Sequence, residues 1–364
     1  MPDKVVLFTG AGGFLGRYIL RHYLDETDYD LYLLEQGPFL NRLKAHLDAT
    51  VKDPKRRAAA RVIDGDITKP GLGLDPALQD ELRGRVTHAI HLAALYNLSV
   101  TRDVAMRINV DGTKNLLDFL ETIGPFKKLA HTSTLAVAGT HVGAFSEDDF
   151  DKGQKFKNYY EETKFLSEKL VRERWMDKVP AVVMRPSVVV GDSKTGYIEK
   201  IDGPYYAMIT VARGLHWMVP DSGPTKCHIA PVDFVTDGFF ALFEKGDAPP
   251  GTVYSLMDPN PITYNDFLDL ICDRWPKRRP LFHVSPRLMA PIARTKWFEI
   301  LTGIPWTAFL YAGQPIDYNL EKSTAALARL GISCPPVSSY VDVMIRYFRE
   351  HYHDANVRRE NWWK

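Results

Sequence analysis

Cysteine is scarce in this sequence, which has only Cys227, Cys272 and Cys334 among 364 residues. These cysteines lie far apart and form no CxxC pair, so we expect neither a disulfide framework nor a bound metal such as zinc. Isolated thiols of this kind are typical of proteins in a reducing compartment. The sequence therefore predicts a cytoplasmic protein.

A surplus of charge of one sign is also missing, because 46 Lys and Arg residues balance 45 Asp and Glu residues. This balance gives no electrostatic reason to expect a nucleic-acid partner. The longest charge-free stretch, 300–316, is broken by Gly and Pro and is shorter than the ~20 apolar residues that span a membrane. The N-terminal apolar run is too short for a signal peptide. We expect no signal peptide and no transmembrane segment.

Short apolar segments alternate with helical segments through the first half of the chain. The predicted strands are rich in Leu or β-branched residues and are Val5–Phe8, Leu31–Leu34, Arg61–Ile63, His88–Leu92, Lys128–His131 and Val182–Met184. Helical spacing is found between them, as in 15–24, 109–122 and 159–175. This alternation predicts an α/β fold, a Rossmann-type doubly wound parallel sheet with helices on both faces.

The pattern weakens after residue 191, where Pro, Gly and aromatic residues become frequent. A chain of this length corresponds to two domains at about 100–200 residues each. We predict a dinucleotide-binding domain at residues 1–191, to which 227–256 return. Residues 192–226 and 257–364 are predicted to form a smaller, mostly C-terminal substrate-binding lobe.

One segment of that lobe, Leu288–Tyr311, is rich in Trp, Phe, Leu and Met. Three interpretations stay open. The segment forms the core of the lobe, or it lines a pocket for an apolar substrate, or it is a patch that contacts a membrane peripherally.

A glycine-rich loop follows the first predicted strand, in the order Gly10, Ala11, Gly12, Gly13, Phe14, Leu15 and Gly16. In such a loop Gly10 permits the tight turn, Gly13 lets the backbone approach a pyrophosphate, and Gly16 lets helix and strand pack closely. The helix that follows offers N–H groups and partial positive charge to an anion. Because the loop lies between strand and helix, it predicts dinucleotide binding.

A carboxylate, Glu35, ends the second strand and bears on which dinucleotide binds. Such a carboxylate accepts hydrogen bonds from ribose hydroxyls, which favours NAD, and it repels the 2′-phosphate of NADP. Arg17 and Arg42 lie close to this region in sequence. They can neutralise the 2′-phosphate of NADP, or alternatively they face solvent. The residues by themselves therefore favour NAD.

Further residues at strand ends fit a bound cofactor. Asp66 and Ile67 follow the third strand and can frame an adenine ring, although Asp66 can equally form a turn. Ala93 and Ala94 follow the fourth strand and allow a ribose to approach closely. His91, in the same strand, is interpreted as a packed residue and not as a catalyst.

Tyr160 and Lys164 form a YxxxK pair and share one face of a predicted helix. Ser133 and Thr134 end the fifth strand, and Arg185 and Pro186 end the sixth. All these groups therefore lie at the carboxyl ends of parallel strands, where ligands bind in open α/β sheets.

Carbonyl reduction requires a hydride at carbon and a proton for the developing alkoxide. We expect Tyr160 to donate the proton and the Lys164 cation to lower the pKa of Tyr160. The Thr134 hydroxyl would hydrogen-bond the carbonyl oxygen, and Ser133 is the alternative for that role.

Residues 1–260 resemble an extended short-chain dehydrogenase/reductase. The resemblance is carried by TGAGGFLG, DGDIT, HLAA, NVDGT, TSTLAVAG, YEETK and RPSVVVG. Three further motifs are similar to the thioester reductase and fatty acyl-CoA reductase branch: GDITKPGLGL, AALYNLS and GDSKTG. The last third of the chain matches this branch only loosely.

The resemblance implies a catalytic set of Thr134, Tyr160 and Lys164, with Asn109 organising the site or capping a helix. It implies cofactor contacts from the glycine loop, Glu35, Asp66, Ile67, Ala93 and Ala94, and from the segment Pro186–Val188. The branch often uses NADP and carries an arginine after the second strand, where this sequence has Gln36. NAD and NADP therefore both stay open.

The function that we expect is NAD(P)-dependent reduction of a carbonyl on a hydrophobic substrate, as an acyl thioester, an aldehyde or a ketone. Expected apolar wall residues are Tyr205, Tyr206, Met208, Trp217, Met218 and the Trp297–Trp306 region. Cations expected near the entry for CoA or a carrier arm are Lys194, Lys200, Arg213 and Lys226. Alternatives are a sterol or 3-hydroxyacyl dehydrogenase, a sugar-nucleotide epimerase or dehydratase, and a non-catalytic dinucleotide sensor. Homodimerisation stays open.

Overall fold

The computed structural model describes residues 4–97, 100–176, 181–306 and 315–354. In these ranges the strands are Val5–Thr9 (β1), Asp30–Glu35 (β2), Ala60–Asp64 (β3), His88–His91 (β4), Lys128–Thr132 (β5), Gly143–Ser146 (β6), Ala181–Pro186 (β7), Val188–Val190 (β8), Met218–Pro220 (β9), Ile229–Pro231 (β10), Val253–Leu256 (β11), Phe282–Val284 (β12) and Ile316–Asn319 (β13).

The α-helices in the same ranges are Phe14–Glu26 (α1), Gly37–Thr50 (α2), Pro54–Ala59 (α3), Pro76–Arg85 (α4), Arg102–Ala105 (α5), Gly112–Leu120 (α6), Tyr159–Trp175 (α7), Tyr205–Ala212 (α8), Val232–Glu244 (α9), Tyr264–Arg274 (α10), Pro286–Ala293 (α11), Lys296–Thr302 (α12), Glu321–Arg329 (α13) and Val337–His351 (α14). Single turns of 3₁₀-helix lie at Pro70–Gly73 and Leu135–Ala138, and a π-helical turn lies at Met106–Asp111.

Seven strands form one parallel sheet in the order β11-β7-β5-β4-β1-β2-β3. All five residues of β1 are buried, as expected for a strand with helices on both faces of its sheet. The chain moves outward from β1 to β3 and then returns to the other side of β1 at β4. This reversal opens a crevice beyond the carboxyl ends of β1 and β4. The predicted doubly wound α/β fold is confirmed.

A second packed core is built mainly from α8, α10 and α14. Its buried side chains include Tyr205, Met208, Phe267, Ile271, Tyr340 and Met344. The predicted wall residues Tyr205 and Met208 therefore belong to this core, where both are fully buried.

The predicted division into two domains stays a prediction, but the packing adds detail to it. Strand β11, within 227–256, pairs with β7 in the central sheet. Residues Ala326 and Leu327 of α13, from the range assigned to the lobe, pack in the same core cluster as β1 and α9. The last third of the chain thus contributes to both cores.

No helix in the part of the chain that the structure describes is both long and apolar enough to cross a bilayer. The cytoplasmic location stays a prediction.

Candidate active site

A cleft of about 1800 Å³ lies between the carboxyl ends of the central strands and the second packed core. Its floor is formed by the glycine loop and by the ends of β4, β5 and β7. The residues that the sequence predicts at strand ends therefore converge here, because parallel strands present their carboxyl ends at one edge.

The glycine loop has the close packing that requires glycine. Gly10 has a φ of +80°, and a Cβ there would lie 2.6 Å from the Ala93 nitrogen. A Cβ at Gly16 would overlap the Gly10 carbonyl oxygen. No side chain caps the N-terminus of α1, where Gly13, Phe14 and Leu15 line the cleft. The open cradle and the uncapped helix fit a dinucleotide pyrophosphate.

Glu35 lies at the end of β2 and forms a hydrogen bond with the glycine loop. Its Oε1 accepts a hydrogen bond from the Gly12 amide at 2.6 Å. Burial raises the pKa of the Glu35 carboxyl, although the Gly12 hydrogen bond and the nearby Arg42 act in the opposite direction. Glu35 also lines the cleft, so it is placed to meet a ribose.

Arg17 and Arg42 meet at one carboxylate, Glu199, which lies between β8 and α8. Both guanidinium groups form ion pairs with Glu199 Oε1. Arg17 also donates to the Tyr197 hydroxyl at 3.2 Å. Glu199 was not predicted from the sequence, and the two arginines that can neutralise a phosphate are already paired with this carboxylate.

The other predicted cofactor contacts divide into two groups. Ile67, Ala93, Ala94, Pro186 and Val188 all line the cleft. Asp66 instead forms a turn, because its Oδ1 accepts hydrogen bonds from the Thr68 nitrogen at 2.9 Å and the Thr68 hydroxyl at 2.7 Å.

His91 is packed inside the domain, as the sequence predicts. Its ring nitrogens lie 2.8 Å from the Thr9 hydroxyl and 3.0 Å from the Thr113 hydroxyl. Burial lowers the pKa of His91 to about 3, so the ring is neutral over the physiological range.

The predicted catalytic hydroxyls come together in the cleft. Helix α7 begins at Tyr159 because the Asn158 side chain accepts a hydrogen bond from the Glu161 nitrogen at 3.0 Å. This cap places Tyr160 in the first turn, where it lines the cleft together with Thr134. Thr134 lies directly beyond β5, so the start of the helix and the end of the strand present their hydroxyls to the same cleft.

Lys164 lies one helical turn beyond Tyr160 and donates to the Thr132 carbonyl at 2.6 Å. Burial lowers the pKa of Lys164 to about 8. The expected lowering of the Tyr160 pKa by this cation is not found. Burial instead raises the pKa of Tyr160 to about 12, with the nearby Thr134 hydroxyl acting in the opposite direction. The lysine here is itself desolvated and tied to the strand end.

Ser133 lines the cleft but has another partner. Its hydroxyl donates to Glu168, a fully buried carboxylate that also binds Arg185 at 2.7 Å. The structure therefore places Ser133 in a structural network, whereas Thr134 faces Tyr160.

Asn109 lies behind the wall of the cleft. Its Oδ1 accepts from the Leu95 nitrogen at 2.7 Å, and its Nδ2 donates to the Leu95 carbonyl and the Thr163 hydroxyl. Asn109 thus ties the loop after β4 to α7, which is a positioning role and not a helix cap.

Other cleft residues were not predicted from the sequence. Tyr96 packs edge-on against Tyr160, with ring centroids 5.1 Å apart. The Oε2 atom of the buried Glu161 accepts a hydrogen bond from the Lys157 backbone nitrogen, whereas its Oε1 atom has no hydrogen-bond partner. Tyr96 lies in the AALYNLS motif, which was a usable signal. For Glu161 the only signal was its place beside Tyr160.

Only some of the residues that were expected to contact substrate line the cleft. Tyr206, Trp217 and Met218 line the cleft, as do Lys200 and Lys226. Arg213 instead donates to the Leu301 carbonyl and the Tyr352 hydroxyl. In the Trp297–Trp306 region, Phe298, Thr302 and Pro305 face the cleft, whereas Trp297 faces outward and is 80% exposed. Residues 307–311 of the predicted apolar segment lie outside the described residues.

A parallel sheet of this order, a glycine loop at its switch point and a YxxxK helix define the extended short-chain dehydrogenase/reductases. A family model described as male sterility protein matches residues 8–239, more than half of the sequence. The chain belongs to this family of NAD(P)-dependent enzymes, which also includes fatty acyl-CoA reductases and thioester reductase domains.

Curated relatives are similar over most of this chain. The chain is 25% identical over 311 residues to the fatty acyl-CoA reductase wat of Drosophila melanogaster, covering 73% of this chain and 60% of that protein. It is 29% identical over 303 residues to the carboxylic acid reductase of Mycobacterium tuberculosis, covering 73% of this chain and 26% of that enzyme. The chain thus spans less than two thirds of either relative.

Solved structures confirm the fold. The terminal R domain from the myxalamid PKS-NRPS pathway superposes with a TM-score of 0.83 at 22% identity, covering 98% of this chain and 93% of that one. UDP-glucuronic acid 4-epimerase from Bacillus cereus, in complex with NAD, has a TM-score of 0.67 at 17% identity, covering 96% and 97%. Because both reductases and epimerases share this fold, the fold alone does not select the reaction.

Proposed function

We propose that this chain reduces a carbonyl carbon with NAD(P)H and that Tyr160 donates the proton. The substrate would be an acyl thioester, an aldehyde or a ketone with a hydrophobic portion. The observation that carries the proposal is that Thr134, Tyr160 and Lys164 line the cleft together, with Lys164 one helical turn beyond Tyr160.

The residues suit the two halves of such a reduction. A bound reduced nicotinamide would supply the hydride to the carbonyl carbon. Thr134 would donate a hydrogen bond to the carbonyl oxygen as negative charge grows on it. Tyr160 would then transfer its proton to that oxygen, and its raised pKa keeps the phenol protonated at neutral pH.

With a thioester the same step leaves a carbon bonded to both oxygen and sulfur. Breaking the C–S bond then releases a thiol and leaves an aldehyde, so one hydride and one proton are consumed. The fatty acyl-CoA reductase and carboxylic acid reductase relatives support a thioester or acyl substrate for this chain.

The cofactor would lie along the glycine loop, with Lys164 near its nicotinamide ribose. Glu35 favours NAD(H), because a buried carboxylate repels a 2′-phosphate. Arg17 and Arg42 would favour NADP(H), but both are paired with Glu199. The described contacts therefore support NAD(H) better than NADP(H).

Apolar and cationic groups support the proposed substrate class. Tyr206, Trp217 and Met218 offer an apolar wall to an acyl chain. Lys200 and Lys226 also line the cleft and can meet the phosphates of CoA or a carrier arm. Lys200 is held at 2.9 Å by Asp202 and lies 5.6 Å from the centre of the Tyr96 ring.

The test is to follow NADH and NADPH oxidation in parallel with acyl-CoAs, long and aromatic aldehydes, ketones and sterols. We expect turnover with at least one carbonyl class. Tyr160→Phe should bind cofactor almost normally and lose turnover by a factor of about 100 or more. The control is Tyr159→Phe, whose ring is exposed on the same helix turn.

Full activity in Tyr160→Phe would eliminate the proposed proton donor. Tight cofactor retention with no net oxidation, together with turnover of a sugar nucleotide, would favour the epimerase alternative.

A further inference from the structure

The segment 277–306 presents an unusual outer surface, which we call the hairpin surface. It contains β12, α11 and α12. Of the fourteen large apolar side chains that the structure describes as exposed, eight lie here: Leu281, Phe282, Leu288, Ile292, Trp297, Ile300, Leu301 and Trp306. Trp297 is 80% exposed and Leu301 is 74% exposed. A concentration of this kind marks an interaction surface, because single exposed apolar residues are normally scattered.

The exposed residues follow helical spacing. Leu288 and Ile292 are four residues apart on α11, and Trp297, Ile300 and Leu301 share one face of α12. A different side of the same helices faces the cleft, which Met289 and Phe298 line. Packing against the lobe therefore accounts for the inner side only, and the outer side requires a separate explanation.

Charge identifies the kind of surface that would cover the outer side. Residues 277–306 contain six Lys and Arg residues but a single acidic residue, Glu299, whereas the whole chain is balanced. Lys277, Arg278, Arg294 and Lys296 are exposed. The Arg294 guanidinium lies 5.5 Å from the centre of the Trp306 ring. Interfacial membrane segments combine Lys and Arg with Trp, Leu and Ile in this way, and anionic headgroups attract the cations.

We propose that the hairpin surface docks on an anionic lipid bilayer. Helices α11 and α12 have eight and seven residues, so they would lie along the interface and not span it. A second copy of the chain is less favoured, because this cation-rich surface would face its own positive charge across the interface.

The mouth of the cleft adjoins the hairpin surface. Strand β9 pairs with β12, which places Met218 beside Phe282. Trp217 and Met218 are themselves exposed and line the cleft. Docking would therefore bring the opening to the lipid. The further consequence, that an acyl substrate enters from the bilayer, rests on the proposed reductase function, whereas docking itself does not.

The test uses the full chain and co-sedimentation with vesicles of phosphatidylcholine, with and without 30% phosphatidylserine. We expect binding to the phosphatidylserine vesicles that weakens as salt is raised. Trp297→Ser and Ile292→Asp should each weaken binding by roughly tenfold or more. The matched control is Val142→Asp, since Val142 is 64% exposed outside the surface.

A charge-reversal pair tests the electrostatic half of the proposal. Lys277→Glu with Arg278→Glu should weaken binding to the anionic vesicles by roughly tenfold or more. Lys52→Glu with Lys55→Glu, an exposed pair before and within α3, is the matched control and should bind normally. All these side chains are exposed, so the variants should fold, which circular dichroism and the melting temperature would verify.

Three outcomes would overturn docking. The protein fails to bind anionic vesicles, or the variants bind as well as the wild type, or Trp297→Ser abolishes a concentration-dependent dimer in sedimentation without changing vesicle binding. The last result would assign the surface to a second copy of the chain. Failure here is distinguishable from failure of the proposed function, because reduction of a short-chain acyl-CoA without vesicles should be equal in wild type and hairpin variants.

Discussion

The Lys164 ammonium donates to the Thr132 carbonyl oxygen at 2.6 Å and so ties helix α7 to the end of β5. This contact fixes the helix relative to Thr134, two residues further along the chain. Tyr160 and Thr134 thereby line the same cleft while Lys164 is buried. Lys164 therefore has both a structural and a proposed chemical role. Its hydrogen bond to Thr132 stabilises the fold, whereas the burial of its charge destabilises it.

Lys164→Met should stabilise the fold and abolish reduction. The pKa of Lys164 is lowered by burial from 10.5 to about 8, so the buried ammonium destabilises the folded state at pH 7. The gain should be roughly 1–3 kcal/mol, offset partly by loss of the Thr132 hydrogen bond. Urea unfolding at pH 7 measures the gain, and cofactor oxidation measures the loss of activity.

The same substitution has a defined pH dependence. Between pH 8 and 10.5 the unfolded chain binds more protons at Lys164 than the folded chain, so wild-type stability from this group rises with pH. The advantage of Lys164→Met should therefore shrink across that window. Lys169→Met, at a half-exposed position of α7, is the control and should change stability by less than about 0.5 kcal/mol. A variant less stable than the wild type at pH 7 would contradict this account.

Glu35→Gln should relax discrimination between the two dinucleotides. The amide oxygen keeps the hydrogen bond from Gly12, while the charge that repels a 2′-phosphate is lost. The ratio of kcat/KM for NADPH to that for NADH should rise by about tenfold or more. Asp64→Asn is the control, because Asp64 lies beside Glu35 at the end of β3 and is exposed. An unchanged ratio would show that Glu35 does not select the cofactor.

Thr134 and Ser133 should separate activity from stability. Thr134→Ala should lower kcat by roughly 100-fold with little unfolding, and Thr134→Ser should restore most of the rate, because the hydroxyl beside Tyr160 is regained. Ser133→Ala removes the donor to buried Glu168 and should mainly lower the melting temperature. Steady-state kinetics of the three variants measure kcat, and thermal unfolding measures their melting temperatures. Equal losses of kcat in both alanine variants would make Ser133 a catalytic hydroxyl as well.

The sequence predicts the part of the site that depends on strand ends. Thr134, Tyr160 and the glycine loop converge because parallel strands present their carboxyl ends together, and this follows from strand order alone. The direction in which the pKa of Tyr160 shifts could not be predicted in this way. Spacing shows that Lys164 shares a helix face, but not that it is buried and bound to Thr132.

Contacts between distant parts of the chain could not be predicted from the sequence. Arg17 and Glu199 are 182 residues apart, and no local pattern indicates their pairing. Asn109 was interpretable as a helix cap, but it lies in a π-helical turn, and this turn aims its amide at Leu95. Both cases depend on tertiary packing, which overrides local propensity.

The pair Glu168 and Arg185 should be essential for stability, since both side chains are almost fully buried. Burial by itself raises the pKa of Glu168, but Arg185, Arg172 and Ser133 together lower it below its usual value. Its contribution to stability is therefore present at neutral pH and is lost as the pH falls through that lowered pKa. Glu168→Gln leaves Arg185 without its charge partner and should cost about 3–5 kcal/mol in urea unfolding at pH 7. Glu173→Gln, which is exposed near the end of the same helix, should cost less than about 0.5 kcal/mol, and a similar loss in both variants would refute the importance of the buried pair.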